Sequence, residues 1–92
     1  GASGLGVEAA ARTAAVLSTG AEGAIPLKEG YAAAMAAQNT SYACVEKNIR
    51  SMVGKLQAGA CGEYQALMGG LPAERPSNEF FLRRLARRIL EW

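Results

Sequence analysis

The sequence predicts an all-α protein of three to four helices with one long central helix, extended rather than compact. Two observations predict the class: β-branched residues are scarce, and no stretch alternates apolar and polar residues over the length of a strand. A third observation predicts the extended shape. Half of the 92 residues are hydrophobic, but 19 of these are alanine, and Leu, Ile, Val and Phe together number only 18. So little apolar area makes a self-sufficient core hard to build at this length.

The composition also limits the function. The chain contains no His and no Asp, and all eight acidic residues are Glu. Ser-His-Asp and Cys-His catalysis, His-based metal sites and EF-hands are therefore excluded. The glycine-rich stretches lack the ending of a phosphate-binding loop. We therefore expect a protein that is not an enzyme and that forms a single small helical domain over residues 1–92.

The first helix is predicted over about residues 7–18, where alanine dominates. Gly20 is a natural stop for this helix, and the residues that follow it read as a linker. Pro26 then suits the first turn of a second helix, because its fixed φ matches the helical value.

The second helix carries the strongest pattern in the chain, a heptad seam sustained over about 25 residues. Its apolar positions are spaced four and three residues apart and are interrupted only by Gln38. They are Tyr31, Met35, Tyr42, Val45, Ile49, Met52 and Leu56. At about 1.5 Å per residue, such a helix would span on the order of 40 Å. The seam packs either against other helices of this chain or against another subunit, and the sequence leaves both open.

A short third helix is predicted over about residues 61–68, and Gly69-Gly70 ends it. Residues 69–77 form a stiff Gly/Pro connector, since each proline disfavours helix in the residue before it. A basic amphipathic helix over residues 78–92 follows, with Ser77 as its N-cap. Its apolar stripe consists of Phe81, Leu82, Leu85, Ile89 and Trp92, and its opposite face carries Arg83, Arg84, Arg87 and Arg88.

This terminal helix contains the whole excess of the net charge of +2. Its arginines form either an ordinary solvated face or part of a docking site. In a docking site, Phe81, Leu85, Ile89 and Trp92 would anchor a protein partner and the four arginines would contact its acidic surface. A peripheral contact with a membrane surface is a further reading. The neutral remainder of the chain argues against nucleic acid, and no apolar run reaches the roughly 20 residues of a membrane span.

The two cysteines, Cys44 and Cys61, lack the spacing of a zinc or redox site. They are either small buried thiols or attachment points for a prosthetic group. A linear tetrapyrrole held by a thioether needs a carboxylate for its pyrrole N–H groups and basic groups for its propionates. Glu46, Arg50 and Glu63 lie within two helical turns of a cysteine. These five residues are the candidate cofactor-binding set.

The segments SYACVEKNIR and GACGEY, in an alanine- and glycine-rich chain without histidine, resemble red-algal phycobilisome linkers, and most closely the γ subunit of phycoerythrin. In that family, a chain of loops and helices threads the central hole of a phycobiliprotein hexamer and carries phycobilins on cysteine. The resemblance implies bilin attachment at Cys44 and Cys61 and a location in the plastid, at the thylakoid.

We therefore expect a non-enzymatic structural or linker subunit embedded in a larger protein assembly, with other protein subunits as partners. The light-harvesting version of that reading carries bilins on cysteine. The competing hypothesis is a small helical adaptor or regulatory module that binds an anionic protein or membrane surface through its C-terminal basic helix.

Overall fold

The computed structural model describes residues 4–21 and 23–91, which contain five α-helices and no strand. The helices are α1 (Gly4–Leu17), α2 (Leu27–Gln38), α3 (Tyr42–Gly59), α4 (Gly62–Met68) and α5 (Asn78–Leu90). The predicted all-α class is confirmed. The predicted number of three to four helices is wrong, because the long central helix is two helices.

The break in that helix lies at residues 39–41. Asn39 adopts a left-handed conformation with φ of 50° and ends α2, and the Met35 carbonyl accepts hydrogen bonds from the N–H groups of both Asn39 and Thr40. Ser41 then starts α3, because its hydroxyl accepts a hydrogen bond from the Cys44 N–H at 3.2 Å. Asparagine tolerates the left-handed region and serine is a favoured N-cap. The heptad spacing continues across the break, which is why the pattern predicted one helix.

Most residues of the heptad seam nevertheless lie in one hydrophobic core. Tyr31 of α2 and Val45, Ile49 and Met52 of α3 are all buried in the same hydrophobic core. Tyr42, in the first turn of α3, is 45% exposed. The seam therefore packs against other helices of this chain, which is one of the two arrangements left open by the sequence.

The predicted extended shape is also wrong. The Cα radius of gyration is 12.3 Å and the principal extents are 31 × 28 × 19 Å. A compact chain of this length is expected to have a radius of gyration of about 12 Å. The turn at residues 39–41 accounts for the difference, because it folds α3 back beside α1 and α2 instead of continuing the axis of α2.

Helices α1 and α2 pack closely because small residues line their contact. Ala9, Ala14 and Ala34 are fully buried there. Gly30 lies directly against Thr13, so that a Cβ added at Gly30 would stand 2.6 Å from the Thr13 methyl carbon. The Thr13 hydroxyl donates a hydrogen bond to the Gly30 carbonyl at 3.3 Å. The two backbones therefore approach closely at Gly30 and Thr13.

The connectors around α4 are held by side chains. Gln57 donates to the Pro72 carbonyl at 2.6 Å and accepts a hydrogen bond from the Tyr64 hydroxyl at 2.7 Å. Between α3 and α4, Ala60 adopts a left-handed conformation with φ of 50°, and its N–H donates to the Leu56 carbonyl at 2.9 Å. The bond between Tyr64 and Gln57 joins α4 to α3, and the bond between Gln57 and Pro72 joins the following connector to α3.

Candidate functional site

The apolar stripe of α5 is used mainly inside the chain. Phe81 is 3% exposed and Leu82 is fully buried, while Leu85 and Ile89 are half-buried against the same core. Ser77 caps the helix as the sequence predicts, because its hydroxyl accepts a hydrogen bond from the Phe80 N–H at 3.1 Å. A partner could contact only the small part of Phe81 that lines a cavity beside α5. The proposed anchor Trp92 lies outside the described residues.

The first two arginines of α5 hold neighbouring segments of the chain. Arg83 donates to the Ile25 carbonyl at 2.9 Å and pairs with Glu79 at 3.2 Å. Arg84 donates from Nε to the Leu67 carbonyl at 3.0 Å, near the end of α4. Both side chains are half-buried. They lie between α5 and its neighbours, so only part of each is available to a partner.

The other two arginines, Arg87 and Arg88, are exposed. With Arg84 they converge on a cleft of about 240 Å³ between α4 and α5, which we call the basic cleft. Its lining consists of Ala66, Leu67, Arg84, Arg87, Arg88 and Glu91. Among the described residues of this lining, Glu91 is the single acid, and it pairs with Arg87 at 3.6 Å. Because the described lining contains three guanidinium groups and one carboxylate, its net charge is positive and favours a bound anion.

A second cavity of about 260 Å³ adjoins the basic cleft, and we call it the aromatic groove. Its lining consists of Leu56, Cys61, Glu63, Tyr64, Leu67, Phe81 and Arg88. Leu67 and Arg88 belong to both linings. The rings of Tyr64 and Phe81 are stacked, with centroids 6.4 Å apart. Apolar surface and a guanidinium group therefore meet at one place on the molecule.

The structure brings together only part of the predicted cofactor set. Cys61 is exposed, precedes α4 as its N-cap residue and lines the aromatic groove together with Glu63. This half of the set lies beside the aromatic ring of Tyr64, as a bound tetrapyrrole would require.

The other residues of the predicted set, Cys44, Glu46 and Arg50, do not all lie together. Glu46 and Arg50 pair with each other at 3.2 Å and line a separate cavity of about 290 Å³ with Tyr31 and Tyr42. Cys44 is not in that lining, because two residues of helix separate it from Glu46 by about 200° around the axis. Cys44 therefore lacks the carboxylate and guanidinium neighbours that the sequence suggests for it.

Cys44 is an exposed thiol at the start of α3, and Cys61 is exposed as well. The interpretation of both cysteines as buried thiols is therefore wrong. Hydrogen bonds with the side chains of Ser41 and Thr40 lower the pKa of the Cys44 thiol, and the charge of Lys47 contributes in the same direction. A lowered pKa increases the thiolate fraction, which is the reactive form of cysteine.

The basic cleft and the aromatic groove are not predictable from the sequence, because both depend on how α4 packs beside α5. The sequence of the connector over residues 69–77 does not show how the two helices are placed relative to each other. One contact between the two helices is the hydrogen bond that Arg84 donates to the Leu67 carbonyl at 3.0 Å. Ala66 and Glu91 line the basic cleft, and nothing in their local sequence marks them. Leu56, which the sequence assigns to the heptad seam, lines the aromatic groove.

Within residues 4–21 and 23–91, no group of three or more potential metal ligands lies together. In the same part of the chain, no helix is both long and apolar enough to cross a membrane. No family model, curated protein or solved structure matches this chain.

Proposed function

We propose that this protein is a non-enzymatic structural subunit of a larger protein assembly, and that the exposed end of α5 docks on an acidic surface of a partner subunit. One observation carries the proposal. Arg87 and Arg88 are exposed beside the basic cleft, while the apolar side of the same helix is buried in the chain's own core. The free side of α5 therefore presents the charges of Arg87 and Arg88, with Phe80 and Leu90 as its exposed apolar side chains.

An interface of this kind depends mainly on electrostatics. Exposed arginines accelerate association with an acidic surface, and salt screens the effect over about 10 Å at 0.1 M ionic strength. We therefore expect docking that weakens steeply with added salt. A free-standing adaptor would bind through the same arginines. A subunit should remain in the assembly during purification at low salt, whereas an adaptor should dissociate from it.

The test uses the full chain with an affinity tag, expressed in its native host and separated on a native gel. Replacing both Arg87 and Arg88 by Gln should release the chain from the assembly. The matched control replaces Arg12 and Arg50, which are exposed arginines in ion pairs on α1 and α3. The control has the same net charge as the test variant and should stay in the assembly.

Two results would contradict the proposal. Equal release of the test and control variants would mean that total charge, rather than the end of α5, governs association. The second result is that the chain purifies without a protein partner and that the isolated chain binds vesicles in proportion to their content of acidic lipid. This result would favour a membrane-surface role.

A second candidate function follows from the lining of the aromatic groove. In the light-harvesting hypothesis, Cys61 would carry a bilin whose rings lie against Tyr64, with Glu63 near the pyrrole N–H groups and Arg88 near a propionate. The grouping of these four residues in one lining supports the hypothesis at Cys61. At Cys44 the support is weaker, because Glu46 and Arg50 line a different cavity.

The bilin hypothesis is tested by the visible absorption and intact mass of protein purified from its native source. Attached bilin would raise the mass above 9.6 kDa and give visible absorption, and Cys61→Ala would remove the pigment. Two free thiols in such material, with no visible absorption, would end this hypothesis and leave the docking proposal unaffected.

A further inference from the structure

We infer that the basic cleft and the aromatic groove together form a reversible binding site for a small amphiphilic carboxylate. The apolar body of the ligand would lie in the aromatic groove, and its carboxylate would pair with Arg88. This is a small-molecule site and goes beyond the proposed docking function, although both use the same end of α5.

The apolar part of the site is preformed. Tyr64 and Phe81 are each only 3% exposed, so their rings belong to the core and present one surface to the groove. The hydrogen bond from the Tyr64 hydroxyl to Gln57 fixes that ring. Leu56 and Leu67 complete the apolar lining. An apolar group entering the groove therefore meets mainly the half-buried side chains of Leu56 and Leu67, together with the small exposed parts of the two rings.

The charged part of the site has one available guanidinium group. Arg84 is engaged by the Leu67 carbonyl and Arg87 pairs with Glu91. Arg88 makes no hydrogen bond or ion pair with any residue in the described ranges 4–21 and 23–91. It also lies four residues after Arg84, a spacing at which like charges on a helix repel. A bound carboxylate would offset this repulsion and accept two parallel hydrogen bonds from Arg88.

The position of Arg88 determines the ligand class. Because Arg88 and Leu67 line both cavities, a ligand that contacts this guanidinium group has apolar surface immediately beside it. A simple anion leaves the groove unfilled, and a neutral apolar molecule leaves Arg88 unpaired. A carboxylate with an apolar body satisfies both parts. Among the described residues that line the groove, Glu63 is the only acid, so its charge should oppose binding.

The experiment is a titration of the isolated full chain with 4-phenylbutyrate, followed by backbone amide NMR. The neutral isostere 4-phenylbutan-1-ol and the simple anion acetate are titrated in parallel at matched ionic strength. We expect 4-phenylbutyrate to bind at least about tenfold more tightly than either, because a hydrogen bond to a charged group commonly contributes that much. The shifted amides should lie along the two cavity linings.

Four variants locate the site. Arg88→Gln should weaken binding of 4-phenylbutyrate about tenfold and leave that of the alcohol unchanged, whereas Glu63→Gln should strengthen binding of the carboxylate. Arg50→Gln, on α3, serves as the charge-matched control and should change neither. Cys61→Ala should weaken binding by less than Arg88→Gln does, because the thiol only lines the groove and the proposed complex is not covalent. The amide spectrum of each free variant shows that it is folded.

The inference is overturned if the alcohol or acetate binds as tightly as 4-phenylbutyrate, or if Arg88→Gln and Arg50→Gln have the same effect. It is overturned as well if none of the three compounds shifts the amides of the groove. Because these measurements contain no partner protein, their failure leaves the docking proposal standing. Failure of docking in the native host likewise leaves these titrations unaffected.

Discussion

The hairpin of α1 and α2 and the unit formed by α4 and α5 are held together in opposite ways. In the hairpin, alanine and glycine bring two backbones together, and the contact at Gly30 and Thr13 has no room for another carbon. In the second unit, large side chains fill the space and Arg84 binds a carbonyl of its neighbour. The comparison indicates that the first region should be sensitive to added volume and the second to removed volume.

The largest expected effect comes from removing volume in the second region. Leu82 is fully buried, and Leu82→Ala should lower the free energy of unfolding by about 2–5 kcal/mol, the usual range for a leucine deleted from a core. Urea denaturation monitored by circular dichroism measures this change in the free energy of unfolding. Leu90→Ala, on the same helix but 55% exposed, should stay within about 0.5 kcal/mol of the wild type. Similar losses in the two variants would contradict the assignment of Leu82 to the core.

Adding volume in the first region should have the next largest effect. Gly30→Ala should destabilise the protein by about 1–3 kcal/mol, because the new methyl group meets Thr13 and its backbone. The control is Gly54→Ala in α3, where the added carbon would be in ordinary contact with Arg75 at 3.6 Å. That substitution should stabilise by about 0.5–1 kcal/mol, because alanine is the better helix former. If Gly30→Ala left the free energy of unfolding unchanged or raised it, α1 and α2 would be able to move apart with no loss of stability.

One of the contacts that join the two regions is made by Tyr31, whose hydroxyl accepts a hydrogen bond from the Asn78 side chain at 3.3 Å. Burial raises the pKa of Tyr31 above its ordinary value of 10.0. In strong base the unfolded chain therefore loses this proton before the folded chain does, and stability should fall as the pH rises from about 10 towards the folded pKa. Urea midpoints measured between about pH 9 and about pH 11 should decline less in Tyr31→Phe. Equal slopes in the two proteins would contradict this.

The smallest effect concerns reactivity rather than stability. Because the Ser41 side chain lowers the pKa of the Cys44 thiol, Ser41→Ala should slow alkylation of Cys44 by iodoacetamide near neutral pH. The rate is followed by mass spectrometry in a Cys61→Ala background. Ser77→Ala, which removes the equivalent cap of α5, should leave the rate unchanged. If both serine variants slow it equally, loss of helix capping in general would be the cause.

The sequence predicts features that depend on neighbouring residues, and it misses those that depend on distant ones. Ser77 is identified as a cap because its partner lies three residues away. The break at Asn39 is missed because heptad spacing records which residues share a face, and the same residues line one core when the helix folds back. Asn39 and Ser41 carry the local signals of a helix end and a helix start. The competing periodic pattern outweighs them in a single sequence.

The candidate site follows the same division. The arginines of α5 are identified from the sequence, but their different roles are not, because Arg83 and Arg84 bind carbonyl groups 58 and 17 residues away along the chain. Cys61 and Glu63 are two residues apart and remain together in the groove. Cys44 and Glu46 have the same spacing, yet they lie on different sides of a helix. The sequence therefore identifies candidate residues, but only the fold shows which of them lie together.

The left-handed backbone at Ala60 bears on how much spare stability this protein has. An L-residue with a side chain in that region costs about 1–2 kcal/mol, which glycine does not incur. Natural proteins commonly lie just above the stability that their function requires, and the chain has kept alanine at a helix end where glycine would fit better. Ala60→Gly is therefore a route to a more robust protein for engineering, because Ala60 lines neither the basic cleft nor the aromatic groove.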